Sequence, residues 1–284
     1  MPRACPPHGA RNWVLLILDS CRHDTFVEAA PPVMSALGRV ERRYSYATWT
    51  APAHFNLLMG LLPHASTEQT LAATVYSQTF REHRHRLGLP DLSFGSMLPS
   101  LWLPTTLREL GYATGARVSL PVLNPETPLS RDFDDYAQGA VHNDLDALTA
   151  DLHFDGDRPW FWLVNTGETH YPYAAAGREA DGLPHLSGLH GVFRRLAAGE
   201  PLRQRDAPEL FQADVLATLR ERQVQAIRDV DGAVARLLQR CPPGTWVTIT
   251  SDHGECFGEG GFLGHGPVAH PKVLEVPFVE GMVR

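Results

Sequence analysis

Three unbroken apolar runs punctuate the chain, and each stops at polar residues. Trp13-Val14-Leu15-Leu16-Ile17-Leu18 ends at Asp19. Trp160-Phe161-Trp162-Leu163-Val164 is the second run, and Trp246-Val247-Thr248-Ile249-Thr250 the third, leading into Ser251-Asp252-His253. Runs of this length without polar alternation predict strands buried on both faces of a parallel sheet. In open α/β sheets ligands bind beyond the carboxyl ends of the strands, so three polar ends from distant parts of the chain can converge there. Helical patterns lie between them. Thr105 to Gly111 is one, stopped by its glycine, and Tyr112 to Val118 resumes as a strand. A longer helix is predicted from Pro208 to Gln239, with apolar positions at Leu216, Leu219, Ile227, Val234 and Leu238, ended by Cys241-Pro242-Pro243-Gly244. Phe55 to Leu62 reads as a shorter helix, with Pro52 placed as a first-turn proline. The alternation predicts one α/β domain over residues 1–284. Segments 64–100 and 174–206, rich in Gly, Pro, His and Arg and without a clear period, are expected to be insertions that shape a substrate pocket.

Composition narrows the classes. With 284 residues, 43% of them hydrophobic and 20% charged, the chain has ample material for a large core, so disorder is set aside. A net charge of -7 and a pI near 6.0 argue against a nucleic-acid partner. The basic cluster Arg81 to Arg86 reads as solvated helix surface. No apolar run approaches the roughly 20 residues of a membrane span, and Met1 to Gly9 lacks the apolar stretch of a signal peptide, which makes the cytoplasm the default expectation. Cys5, Cys21, Cys241 and Cys256 have no paired spacing and are expected as reduced thiols.

The candidate chemistry centres on Thr250-Ser251-Asp252-His253-Gly254-Glu255, followed by Gly264-His265-Gly266. A carboxylate and an imidazole at a strand end suit Zn²⁺ or Mn²⁺ with a coordination position left open for a reactant. Asp19 fits either a metal ligand or an N-cap for the next helix. Thr50 precedes Pro52 at a predicted helix start, where unpaired N–H groups and the positive dipole end favour an alkoxide or a bound anion. A plain threonine N-cap fits the same pattern, and a metal against the hydroxyl would separate the two. Glu168 and Glu255 read first as surface caps, with outer-shell or second-metal roles as the alternative.

Taken together, Leu15-Leu16-Ile17-Leu18-Asp19-Ser20, Thr50-x-Pro-x-His54 with Leu58-x-Gly60, Leu107-x-x-Leu110-Gly111-Tyr112-x-Thr114, Phe133-Asp134, Thr169-His170-Tyr171-Pro172-Tyr173, Ile227-x-x-Val230-Asp231, Ser251-Asp252-His253-Gly254-Glu255 and Val276-Pro277 resemble, in order and spacing, the alkaline phosphatase superfamily, most closely its sulfatase-like branch. The resemblance implies a mostly parallel central sheet flanked by helices on both faces. It also implies a minimal catalytic domain lacking the C-terminal subdomain of many sulfatases. Asp19, Asp252 and His253 then become ligands of one divalent ion, Zn²⁺ or Mn²⁺, with Thr50 as the nucleophile on the same ion. His170 and His265 match histidines that contact the transferred or leaving group, or hold a second metal.

The departures from the pattern matter as much. Sulfatases of this branch carry Cys or Ser in a Cys-x-Pro-x-Arg segment, matured to formylglycine, whereas Thr50 and His54 stand here and threonine cannot make that aldehyde. Ser20 replaces a second aspartate, and His265 a lysine. The set is more similar to threonine-nucleophile members, including phosphoethanolamine and glycerophosphate transferases that act on lipids. Those are membrane-anchored and no span is found in this chain, so lipid head-group transfer is not expected. The expected function is a metal-dependent hydrolase or transferase of small-molecule phosphate monoesters or diesters, working through a covalent phosphothreonine. The alternatives are a sulfuric ester hydrolase and a catalytically silent ligand-binding relative. Nothing in the sequence sets the oligomeric state.

Overall fold

A computed structural model describes residues 4–66, 72–93, 97, 101–154, 156–178, 195 and 198–284. Its strands, in chain order, are β1 (Trp13–Leu18), β2 (Glu41–Tyr44), β3 (Ala113–Val118), β4 (Asp135–Gln138), β5 (Trp160–Thr166), β6 (Leu202–Arg203), β7 (Trp246–Thr250), β8 (Cys256–Phe257), β9 (Phe262–Gly264) and β10 (Glu275–Met282). Seven of them form the central sheet in the order β2-β10-β7-β1-β5-β3-β4, and β6-β9-β8 make a small second sheet. The three apolar runs are β1, β5 and β7, side by side and parallel, as both-face burial demands. Register carries the consequence: Leu18 is opposite Thr166 and Ile17 opposite Thr250, so all three polar ends leave the sheet at one edge. Within the central sheet β10 runs antiparallel to its neighbours, β7 and β2, and the small sheet β6-β9-β8 is antiparallel.

Strand side chains alternate between faces, and two cores result. Val14, Leu16 and Leu18 pack with Phe26 of α1 (His23–Ala29), Met34 of α2 (Pro32–Leu37), and Val224, Ile227 and Val234 of the long helix Ala213–Arg240. Trp13, Leu15 and Ile17 pack on the other face with Leu57 and Leu58 of α3 (Thr50–Leu58), Phe80 and Leu87 of α4 (Ala72–Leu87), and Leu103 and Leu107 of α5 (Leu103–Glu109). Each large apolar side chain buried this way contributes about 1.5–3 kcal/mol. Helices on both faces of a mostly parallel sheet are therefore observed as expected.

Several local expectations change. The segment 64–100 contains α4, a sixteen-residue helix, and its remainder lies partly outside the described residues. Arg86 is not solvated surface: it is fully buried, paired with Glu280 at 2.7 Å and Glu82 at 2.9 Å. His83 is buried beside it, edge-on to Trp13. The aliphatic stem of an arginine covers apolar surface while its head reaches carboxylates at the rim, which a charge count cannot reveal. The predicted Pro208–Gln239 helix is two elements, a 3₁₀ turn Pro208–Phe211 and α7 (Ala213–Arg240), separated by the extended backbone of Gln212. Helix α6 (Leu145–Leu148) is the short element between β4 and β5. Helix α3 stops at Leu58, before Gly60, which sits at φ +81°. The four cysteines are free thiols.

Candidate active site

Asp19 follows β1, Asp252 and His253 follow β7, and His170 lies four residues beyond β5, so the shared sheet edge gathers them. One ligand atom from each of Asp19, Asp252 and His253 can be chosen so that all lie within 4.8 Å of one another, and all three residues are buried. Thr50 is the first residue inside α3. The preceding residue, Trp49, occupies the cap position and no side chain caps the helix, so Thr50 is not an ordinary N-cap. Its Oγ1 is 3.5 Å from Asp19 Oδ1 and 3.4 Å from His253 Nε2. Asp19 is likewise no N-cap, because Arg22 holds that position ahead of α1.

The hydrogen bonds around the triad fix its orientation. Asp19 Oδ2 accepts from Asn165 Nδ2 at 3.0 Å and Oδ1 from Ser20 Oγ at 3.1 Å. Asp252 Oδ1 accepts from the backbone N–H of Ser20 at 3.1 Å and of His253 at 2.9 Å. Ser20 thus links both acids, from a left-handed backbone with φ 60° that non-glycine residues adopt at a cost of about 1–2 kcal/mol. His253 Nδ1 lies 2.8 Å from Gly254 O; a carbonyl only accepts, so Nδ1 carries the proton and Nε2 presents a lone pair. Asp252 Oδ2 is buried with no hydrogen-bond partner and faces that lone pair at 3.4 Å. Two acceptors held together this way fit a cation between them. A set of two carboxylates, one imidazole and one hydroxyl suits Zn²⁺ or Mn²⁺.

The electrostatics agree. Burial, reinforced by Asp252, raises the pKa of Asp19, and burial is the main reason that Asp252 climbs to about 6. Burial pushes His253 and His265 down to about 3, helped by His265 and His170 respectively, and lowers His54 as well. The buried guanidinium of Arg22 is committed to Asp24 at 2.6 Å and Glu259 at 2.7 Å. The acids at the triad therefore carry an unrelieved cost of ionisation, which a bound cation would remove.

His265, just after β9, lies with its ring centre 4.4 Å from that of His253 and 5.3 Å from that of His170. Its Nδ1 is buried without a hydrogen-bond partner, 3.8 Å from Glu255 Oε2. His170 Nδ1 donates to Tyr171 O at 2.9 Å, which leaves Nε2 as an acceptor. Glu255 is buried, not a surface cap, and burial raises its pKa to about 7. Glu168 is also buried, but it accepts from Leu145 N at 2.7 Å at the start of α6 and lines a separate cavity. His54 Nδ1 donates to Thr50 O at 2.8 Å and lies 3.8 Å from Asp252 Oδ2.

A cavity of about 440 Å³ opens onto Thr50, His170 and His265, walled by Trp49, Leu120, Pro121 and Val122. Ala198 and Gly199, from the segment 174–206, also line it, while much of that segment lies outside the described residues. Sequence reasoning missed Asn165, Ser20 and Gln223, whose Nε2 donates to the carbonyls of Ser20 and Thr169 at 3.0 Å each. Asn165 had a signal: it is the first polar residue after the apolar run Trp160–Val164.

No protein-family model matches the chain, and no curated protein matches it by sequence. Solved structures do. The C-terminal periplasmic domain of EcEptC from Escherichia coli, in complex with Zn, is similar with a TM-score of 0.58 at 15% identity over 98% of this chain and 74% of that one. The soluble domain of lipooligosaccharide phosphoethanolamine transferase A from Neisseria meningitidis gives 0.56 at 14% identity over 99% and 79%. Phosphonate monoester hydrolase SpPMH from Silicibacter pomeroyi gives 0.58 at 16% identity over 95% and 67%. These proteins share the fold of this chain, the alkaline-phosphatase-like one that the motifs implied. The cytoplasmic expectation is overturned: the Escherichia coli structure sharing this fold is a periplasmic domain, which points away from the cytoplasm. That expectation rested on two absences in the sequence, of an apolar run long enough for a membrane span and of an apolar stretch within Met1 to Gly9. Among the described residues, no helix is long and apolar enough to cross a membrane.

Proposed function

We propose that residues 1–284 form one catalytic domain of a metal-dependent hydrolase or transferase of phosphate esters, with Thr50 as nucleophile. The observation that carries this is the Thr50 hydroxyl at the start of α3, within 3.5 Å of both Asp19 and His253, beside a buried acid oxygen that has no partner. Support comes from the names of proteins sharing the fold, a phosphoethanolamine transferase and a phosphonate monoester hydrolase, and from the zinc complex of a third. A divalent ion held by Asp19, Thr50, Asp252 and His253 would acidify the Thr50 hydroxyl and offset charge on the ester oxygens.

The rest follows from the chain's own groups. Thr50 Oγ1 attacks phosphorus, the bond from phosphorus to the leaving alcohol breaks, and the alkoxide takes a proton from solvent as Thr50 gives one up. The first-turn N–H groups of α3 face the phosphoryl oxygens and favour their growing charge. Attack on the phosphothreonine by water gives hydrolysis, and attack by an alcohol gives transfer; either restores the Thr50 hydroxyl. His170 and His265 contact the transferred or leaving group, or hold a second ion. His170 presents Nε2 and His265 a buried Nδ1 with no hydrogen-bond partner, donor atoms that suit a second ion.

The test is turnover of matched aryl phosphate monoesters, phosphodiesters and sulfates with Zn²⁺ or Mn²⁺, with mass spectrometry of the Thr50 peptide after acid quench. Phosphorylated Thr50 and a phosphate preference are expected. A sulfate ester preferred more than about tenfold, roughly 1.4 kcal/mol in the transition state, would return the protein to the sulfatases. Undiminished turnover by Thr50→Ala would move the attack to water.

A further inference from the structure

Gln223 is fully buried in the middle of α7, between two apolar stripes. Val224 and Ile227 pack against the central sheet, while Leu219 and Ala226 pack with Tyr171, Tyr173 and the small sheet. A methionine would fill the same seam without burying an amide, so the amide is explained by what it bonds. Its Nε2 lies 3.0 Å from both Ser20 O and Thr169 O and 3.3 Å from Glu255 Oε1. Carbonyls only accept, so the NH₂ end faces them. At the other end Oε1 accepts from Thr25 Oγ1 at 2.7 Å, which steadies the amide from α1.

The three acceptors belong to the three loops that follow β1, β5 and β7, and each stands next to a reactive residue. Ser20 follows Asp19, Thr169 precedes His170, and the second oxygen of Glu255 faces His265 Nδ1 at 3.8 Å. Thr169 closes the circuit, because its Oγ1 donates to Asp19 O at 2.6 Å. Arg222, the preceding residue of α7, donates from Nε to Pro172 O at 3.0 Å, so α7 grips the His170 loop on both sides of the histidine. Sheet register aligns the strand ends, but His170 lies four residues past β5 and His265 comes from another loop, with their ring centres 5.3 Å apart. Register alone does not set that pair against the triad. We infer that Gln223 is a positioning residue: through Thr169 and Glu255 its amide sets His170 and His265 against Asp19, Asp252 and His253. Gln223 is not among the described residues lining the cavity over Thr50, so it acts through these neighbours and not on the substrate. This rests on the phosphate-ester reading above and adds a residue to it.

The test compares Gln223→Met, which keeps the length of the side chain and drops its hydrogen bonds, with Val224→Ala, which loosens the apolar core one residue further along α7. Zinc-loaded proteins are assayed on p-nitrophenyl phosphate and bis(p-nitrophenyl) phosphate at a temperature where all are folded. Gln223→Met should lower kcat about 10–100-fold with KM within about threefold, since a displacement of about 1 Å suffices for that loss. Val224→Ala should keep the wild-type kcat. In a cycle with His170→Ala the two losses should fail to multiply, because one acts through the other. If Gln223→Met does not fold, Thr25→Val, which removes the hydroxyl steadying the amide, takes its place, with a smaller loss of kcat expected and an unchanged kcat overturning the inference. A second readout needs no turnover. In the chelator-treated protein the His170 ring is held with its proton on Nδ1, 2.9 Å from Tyr171 O, and long-range proton–nitrogen spectra, assigned with His170→Ala, should show that tautomer averaged with the other in Gln223→Met and intact in Val224→Ala. Losses that multiply, a Gln223→Met protein with wild-type kcat, or an equal loss in Val224→Ala overturns the positioning role and leaves Thr50 chemistry intact. Failure to turn over any phosphate ester overturns the functional reading, and the ring spectra then decide alone: an unchanged His170 signature in Gln223→Met overturns the positioning as well.

Discussion

Replacing Asp252 by asparagine should move metal-free stability and metal binding in opposite directions. Asp252 is buried, and burial lifts its pKa from 3.8 to about 6. An acid whose pKa rises on folding is favoured when protonated: the stability is fully present below about pH 4 and is lost as pH climbs through about 6. At pH 7 the ionised fold then carries a cost of about 3 kcal/mol. An uncharged amide at this position would remove it. The amide keeps the Oδ1 bonds from Ser20 N and His253 N and places an NH₂ where Oδ2 faced the His253 Nε2 lone pair at 3.4 Å, turning a repulsion into a hydrogen bond. The metal-free variant should melt about 6 °C above the wild type at pH 7, with the difference falling below about 1 kcal/mol at pH 4. Zinc at a hundred times its dissociation constant should add about 2.7 kcal/mol to the wild type and almost nothing to the variant. Differential scanning fluorimetry of chelator-treated protein, with and without zinc, at both pH values reads all four terms. A metal-free Asp252→Asn protein that is less stable at pH 7 would show that the carboxylate is already compensated by its neighbours. A variant that still rises with zinc would show that Asp252 is not a ligand.

Three further outcomes are expected. Thr50→Ala should unfold within about 1 kcal/mol of the wild type, because the hydrogen bonds of its hydroxyl to described residues are long, 3.4 and 3.5 Å, while turnover falls by roughly three orders of magnitude or more. Asn165→Ala strips the donor from buried Asp19 Oδ2; it should cost about 1–3 kcal/mol in denaturant melts and weaken zinc about 10–100-fold by competition with a chelating dye. Gly199→Ala would put a Cβ 2.8 Å from His265 Nε2 at φ +74°, so His265 must shift; turnover should fall, while the zinc-induced rise in melting temperature keeps the part that Asp252 supplies and loses any part that His265 supplies.

Much of this was legible along the chain because of how strands bury. Trp13–Leu18, Trp160–Thr166 and Trp246–Thr250 are apolar on both faces, a pattern that a central parallel sheet alone explains, and each strand end is marked by its first polar residues, Asp19, Asn165-Thr166 and Ser251-Asp252. Local chemistry also placed Thr50 at a helix start. What a linear reading could not reach was anything depending on proximity across the fold. Arg81 to Arg86 looks like a solvated basic run, yet Glu280, nearly 200 positions away, draws Arg86 inside. Glu255 and Glu168 have the same residue type and both are buried, but one faces His265 and the other anchors α6, because different neighbours supply their partners. Asn165, Ser20 and Gln223 hold the acids in place through bonds spanning 1 to 232 positions in sequence. The sequence determined which residues could react, through residue type and strand ends; the register of β1 against β5 and β7 decided that they meet, since only parallel pairing aligns those ends at one edge.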